Sequence, residues 1–250
     1  MIEKIKIFLL KIRKYMNIKN LLGNFKILLI KLKHLVKFIL NRYKYIINNI
    51  ITNSLFYFTI CLCLYAISYK FELSYIVLLL SLIYIANLGY FIHWLSHKIS
   101  FLKVFKSTNN VITTNYFMRP FFIKLCEFLD FHHFVHHDTT INKKKINVII
   151  EFLGNVCTQG IFFIIIQWFI KQVDFRICIL WSFAYATVHN INYEIIKPVQ
   201  HEQHHKNIKT NFGLDILDIL YRTKYDTSIE NYNHMSINFI VITCLILYFT

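Results

Sequence analysis

The chain has 250 residues, of which 56% are hydrophobic and 16% are charged, and its formal net charge is +15. An ordinary soluble domain is nearer a quarter charged, so this composition favours a membrane protein. The basic residues lie between aliphatic runs and no nucleic-acid-binding motif occurs, so we expect anionic lipid and no nucleic acid as a partner. The six cysteines form no C-x-x-C pair, which argues against a thiolate zinc site or a disulfide framework.

Residues 1–47 read as a basic amphipathic segment. Over residues 1–45, twelve Lys and Arg and a single acid, Glu3, are spread among Ile, Leu and Phe. Lysines interrupt the apolar runs too often for a clean span, so this segment predicts an interfacial helix. A secretory signal peptide matches poorly, because no small-residue cleavage site follows the apolar run.

Apolar runs further along the chain predict about four transmembrane helices in two hairpins. The first hairpin joins spans at approximately 48–69 and 73–95, each near the roughly 20 residues that cross a bilayer. The second joins spans at approximately 148–170 and 177–193. The C-terminal segment 237–250 is short for a span, and either packs on the bundle or lies at the interface. The fold class is therefore all-α and integral to a membrane, with the main domain at 48–236.

Two hairpins would place residues 1–47, 96–147 and 194–236 on one face of the membrane. These segments hold 25 of the 28 Lys and Arg, and only Lys70, Lys171 and Arg176 fall in the opposite turns. By the positive-inside rule, that face is predicted to be cytosolic.

Nine histidines fall in clusters on this face, which makes it a histidine-rich cap. One cluster has the spacing H-x-x-x-H, two have H-x-x-H-H, and one is a single histidine after the fourth span. On a helix such spacings put side chains on one face, so each cluster can aim its imidazoles at a common point. Nine nitrogens exceed the needs of one tetrahedral zinc and suit two metal ions with open positions. The predicted ligands are His93, His97, His133, His136, His137, His189, His201, His204 and His205.

Taken singly, the clusters have simpler interpretations. The pair His93 and His97 also suits interfacial histidines, and His189 also suits a hydrogen bond between helices. His132 is either a spare ligand or a support for one. Metal-bound imidazoles usually donate their other N–H to a carboxylate or carbonyl, although a solvated charge is the alternative role for each nearby acid. The candidate supporting acids are Asp130, Asp138, Glu194 and Asp215.

Imidazole binds iron, zinc, copper or nickel, so ligand type alone does not choose the metal. A redox metal is favoured by the setting, because a nitrogen-rich site at the hydrocarbon boundary suits oxidation of an inert alkyl chain. Iron that activates O₂ is the natural candidate.

The order and spacing of these motifs resemble the fatty acid hydroxylase / sterol desaturase superfamily of integral membrane histidine-box di-iron enzymes. The likeness covers roughly residues 73–226 and includes the residues after the last box, namely Asn211, Phe212, Gly213, Asp218 and Thr223. The resemblance implies two iron ions, O₂ as co-substrate and an external electron donor such as cytochrome b5. It also implies hydroxylation of a fatty-acyl, sterol or related membrane lipid in the endoplasmic reticulum. The alternatives are desaturation at the same site and a non-catalytic metal-handling membrane protein.

The chain departs from the family pattern at three points. The spacing between His97 and His133 is 35 residues, much longer than the family commonly has. Trp94 stands where many members have Arg, and the closing motif has Leu217 for Trp and Arg222 for Gly. These departures leave the substrate open and remove none of the nine predicted ligands.

Overall fold

The computed structural model describes residues 30, 31, 33, 37, 40, 42–108, 116–131, 137, 145–161, 164 and 173–250. The chain divides into two compact units, residues 1–47 and 48–250. The described residues of the first unit are helical. The remainder of the predicted basic segment lies outside the described residues.

The described part of the second unit consists of helices and turns without a β-strand, which confirms the all-α prediction. A 3₁₀ turn at Asn233–Met235 precedes the last helix. The α-helices, in chain order, are α1 (Ser54–Phe71), α2 (Tyr75–Ser96), α3 (Phe101–Ser107), α4 (Met118–Leu129), α5 (Lys145–Val156), α6 (Phe175–Thr187), α7 (Tyr193–Ile196), α8 (Val199–Lys206), α9 (Asp215–Tyr221) and α10 (Ser236–Phe249). Two π-helical turns interrupt this order, and we name them π1 (Cys157–Ile161) and π2 (Val188–Asn192).

Helices α1 and α2 are consecutive and pack against each other. Helix α1 ends because Glu72 adopts a left-handed conformation with φ 54°, and the Ser68 hydroxyl then donates to the Leu73 carbonyl at 2.6 Å. With 18 and 22 residues, these are the two helices of the described chain that are long and apolar enough to cross a membrane.

The third and fourth predicted spans have a different form. Helix α5 changes into π1, and the 13-residue helix α6 changes into π2. A π turn adds a residue to the helical turn and so changes the direction of the side chains that follow. Residues 162, 163 and 165–170 of the third predicted span lie outside the described residues. The topology of four spans in two hairpins therefore stays a prediction.

The apolar core lies between α1, α2, α6 and α10. Helix α10 packs on α1 and α6, so the C-terminal segment packs on the helical bundle, one of the two alternatives for it. The outward faces of these helices are apolar too, and a helix that is hydrophobic all round is typical of a membrane span or of a large core. On α1 and α2 the exposed side chains include Leu55, Phe58, Leu62, Tyr65, Ile76, Leu80, Ile83 and Phe91.

Small residues let α2, π1 and α6 approach closely, one helical turn before His93. The side-chain amide of Gln159 donates to the Gly89 carbonyl at 3.2 Å. A Cβ atom at Gly160 would lie 2.4 Å from the Cys178 carbonyl oxygen and 2.5 Å from the Ser182 Cβ, so no larger residue fits there. Close backbone approach of this kind fixes the positions of the helix ends that carry the histidines.

Candidate metal centre

Seven of the nine predicted ligands lie in one continuous set of ring contacts. Helix α2 contributes the pair at its end, π2 contributes His189, α8 contributes three, and His137 comes from the segment between α4 and α5. Successive ring centroids are separated by 4.6 to 4.9 Å. In order of contact, the seven are His93, His204, His97, His137, His205, His201 and His189.

Three of these residues, His93, His97 and His204, form what we call the first histidine group. The Nε2 atom of His97 lies 3.2 Å from Nε2 of His93 and 3.2 Å from Nε2 of His204. His93 and His204 are buried, with exposed fractions of 5% and 0%. The ligand atoms of all three lie within 4.8 Å of one another, so this group could hold a metal ion.

Backbone carbonyls orient two of the three rings. Nδ1 of His93 donates to the Phe212 carbonyl and Nδ1 of His204 donates to the Thr210 carbonyl, both at 2.6 Å. Because a carbonyl oxygen can only accept, the proton of each neutral ring sits on Nδ1. The Nε2 atoms therefore present lone pairs to the centre of the group, as in metal-bound histidines.

The spacing of the Nε2 atoms fits a bound cation. Two nitrogens that are each about 2.1 Å from one metal, at an angle of roughly 100°, are about 3.2 Å apart. Without a cation, Nε2 of His97 can donate at most one proton. If the proton of His97 sits on Nδ1, both contacts at 3.2 Å set lone pair against lone pair, and if it sits on Nε2, one proton must serve two acceptors. A bound metal turns this repulsion into coordination.

The remaining four, His137, His189, His201 and His205, form the second histidine group. His201 and His205 are one turn apart on α8, and their Nε2 atoms lie 3.1 Å from each other. His137 contacts His205 with ring centroids at 4.6 Å, and His189 contacts His201 at 4.9 Å. This group is more open than the first, although one of its pairs already has the spacing of two ligands on one metal.

A short loop after α8 supplies both of the orienting carbonyls and is itself fixed by Asp218. The Asp218 carboxylate accepts the backbone N–H groups of Phe212 at 2.9 Å and Gly213 at 3.2 Å. It also accepts the Thr223 hydroxyl at 2.6 Å. Asn211, with φ 54°, joins the loop to α8 by donating to the Gln200 carbonyl at 3.0 Å. The residues after the last histidine box therefore hold His93 in place.

Burial keeps four of the histidines in the neutral form that binds metals. Loss of hydration lowers the pKa of His204 to about 4 and the pKa of His137 to about 2. Burial also lowers the pKa of His201 and of His205, and neighbouring imidazoles lower that of His201 further. At neutral pH these four rings are uncharged ligands.

The predicted supporting acids have other contacts. Asp130 is buried and caps α3, since its carboxylate accepts the backbone N–H groups of Phe101 and Leu102 at 2.8 and 2.9 Å. Asp215 is buried in a structural network where it accepts the Glu230 N–H at 2.8 Å and pairs with Lys224. Glu194 is exposed on α7. The remaining predicted residues, His132, His133, His136 and Asp138, lie outside the described residues.

Glu151 was not among the predicted site residues, yet it lies against the predicted ligand His189. It is 5% exposed on α5, and its Oε1 atom lies 3.6 Å from Nε2 of His189. One turn later, the side-chain amide of Asn155 donates to the Asn190 side chain at 2.9 Å, which ties α5 to π2. An acid inside an apolar run was the available sequence signal, because ionisable residues in such runs mark functional sites.

Compared with known proteins, the chain matches no family model, no curated protein and no solved structure. The geometry of the two histidine groups is therefore the basis for the functional assignment.

Proposed function

We propose that the chain is a membrane-embedded, non-haem di-iron oxidoreductase that hydroxylates a C–H bond of a lipid at the expense of O₂. The observation that carries this proposal is the convergence of the first histidine group, whose Nε2 atoms lie 3.2 Å apart with two rings oriented by carbonyls. The second histidine group continues from it through His137, and we propose this group as the site of a second metal.

Iron fits this donor set, because imidazole suits iron and both groups leave coordination positions for O₂ and substrate. When bound, it supplies the reductive activation of O₂ that breaks an inert C–H bond. One oxygen atom enters the substrate as a hydroxyl, and the other leaves as water after taking up two electrons and two protons. We propose that an external donor, cytochrome b5 or a similar reductant, provides the electrons.

The chain's own residues would position the lipid and exclude water. A cavity of about 170 Å³ opens beside His93, with apolar walls from Ile92, Phe101 and Leu129. An apolar cavity of about 60 Å³ adjoins His189 and is lined by Trp181 and Phe239, among others. Holding an alkyl carbon in such a cavity beside the metal would add to catalysis through proximity.

The apolar outward faces of α1 and α2, which would be costly in water and are suited to lipid, support a placement in a membrane. We propose four spans, with the histidine groups on the cytosolic side of the endoplasmic reticulum membrane. The concentration of Lys and Arg in the segments that carry the histidines supports this orientation.

The experiment is a mass-spectrometric comparison of lipids from a yeast host that expresses the chain or the double variant His204→Ala with His205→Ala. The control is Lys206→Ala with Lys209→Ala, which changes two exposed residues at the end of α8 and just beyond it, at matched protein levels. A lipid that gains one oxygen with the wild-type and control chains alone would support the hydroxylase.

Two other results would redirect the assignment. Loss of two hydrogens from a lipid would identify a desaturase at the same site. Identical lipids in all three strains, with exchangeable zinc and no iron in the purified chain, would favour a metal-handling membrane protein, since three imidazoles also suit zinc.

A further inference from the structure

The carboxylate of Glu151 lies beside His189, a member of the second histidine group. Its Oε1 atom is 3.6 Å from Nε2 of His189, and both side chains are at least 94% buried. A separation of 3.6 Å is too long for a hydrogen bond. Two ligand atoms that are each about 2.1 Å from one metal, at an angle of roughly 120°, are about 3.6 Å apart. The distance is therefore compatible with one cation bound by both side chains.

The fold fixes the position of Glu151 relative to His189. Asn155, one helical turn after Glu151, donates to Asn190, the residue that follows His189, at 2.9 Å. The π turn that carries His189 also packs against α5. Because π turns redirect side chains, this arrangement aims His189 at α5 and not along the outer face of α6. The pair is thus held by the scaffold on both sides.

Charge supports the same interpretation. An ionised carboxylate in an apolar run is costly unless a cation compensates it. Neutral imidazoles leave the charge of two divalent ions uncompensated. A carboxylate buried beside the ions lowers the cost of burying its own charge and the cost of burying the metal charge.

We propose that Glu151 is a ligand of the second metal, beside His189, so that this site has mixed nitrogen and oxygen ligands. This inference rests on the proposed di-metal function and adds an oxygen ligand to what the sequence predicts as an all-histidine site. A carboxylate favours a harder ion, so the second site should select Fe(II) or Mn(II) over Cu(I).

The test is an anaerobic Fe(II) titration of the purified chain in detergent, with iron per chain measured after desalting and Mössbauer spectra of the product. The variants are Glu151→Gln, which removes the charge at nearly constant shape, and Glu151→Asp, which keeps the charge on a shorter side chain. The matched control is Glu127→Gln, an exposed acid on α4.

We expect two irons in the wild-type and control chains and one in Glu151→Gln, with one of two Mössbauer signals lost. The dissociation constant of the second iron should rise at least about tenfold in Glu151→Gln, and less in Glu151→Asp. Retention of the first iron also reports that Glu151→Gln is folded.

Three results would overturn the assignment. Two irons bound with unchanged affinity in Glu151→Gln would refute the ligand role of Glu151. Equal weakening of both metal sites would refute it too. Neither result would refute the proposed function. A wild-type chain that binds no iron would refute the proposed function and this inference together.

Discussion

The two histidine groups use the same side chain but differ in how far the protein has arranged it before a metal binds. In the first group, backbone carbonyls orient His93 and His204, and the Nε2 atoms already have the separation of metal ligands. In the second group one pair has this spacing, through His201 and His205, while His137 and His189 lie in ring contact with this pair. Preorganised ligands lose less freedom on binding, so the first site should bind its metal more tightly.

The largest expected effect comes from two variants, each of which removes one ligand from one of the two histidine groups. His204→Ala should abolish binding of the first metal and lower turnover at least about 100-fold, because a core ligand and its carbonyl contact are both lost. His205→Ala should spare the first metal and release the second. The metal-to-protein ratios of the two variants test whether the sites are separate. Equal losses of metal in both variants would show that the two groups form one site.

A smaller loss should follow from Asp218→Asn, which acts on the first group through the loop. An amide offers one acceptor oxygen, so its NH₂ would face the N–H of Phe212 or Gly213. The affinity for the first metal should fall about 10- to 100-fold while the second is unaffected. Asp226→Asn, at an exposed aspartate, is the control for the lost charge. Unchanged affinity would mean that the Phe212 carbonyl does not orient His93.

Gly160→Ala should test the close packing of π1 against α6, which helps to position the two histidine groups. The new methyl group would meet the Cys178 carbonyl at 2.4 Å, which should cost about 1–3 kcal/mol of stability. Gly154→Ala is the matched control, because its methyl group would lie 3.8 Å from Phe128. That change should stabilise α5 by about 0.5–1 kcal/mol. Equal melting temperatures for the two variants would contradict the packing argument.

The mildest perturbation is acidification of the metal-free chain. The pKa of His204 is about 4 in the folded chain and about 6.5 when unfolded, so the unfolded state takes up the proton first. The free energy of unfolding should therefore fall as the pH drops from 6.5 towards 4, and less steeply in His204→Gln. Chemical unfolding at several pH values measures this slope, and parallel curves for the two chains would refute the pKa argument.

The sequence predicted those parts of the molecule that depend on local spacing. Residues four apart on a helix share a face, so the pair on α2 and the pair on α8 could be recognised without a structure. Hydropathy also identified α1 and α2 as helices of spanning length, and the all-helical class is confirmed for the described residues.

Features that depend on distant residues could not be predicted in this way. The carbonyl of Phe212 reaches His93 from 119 residues away, and no local pattern reports such a contact. The π turns follow α5 and α6 inside the predicted spans, and no local spacing rule marks a π turn, so the third and fourth spans looked continuous. Glu151 was not predicted because an isolated acid in an apolar run gives no indication of the residue that it contacts.

The most direct test of the metal centre measures what the 250-residue chain binds when it is purified in detergent from an iron-supplied host. Metal analysis and iron X-ray absorption give the number of ions and their ligands. We predict about two irons per chain, with a mainly nitrogen shell at about 2.1 Å, and loss of iron in the variant His204→Ala with His205→Ala. A chain without tightly bound metal, or with one exchangeable zinc alone, would contradict the account.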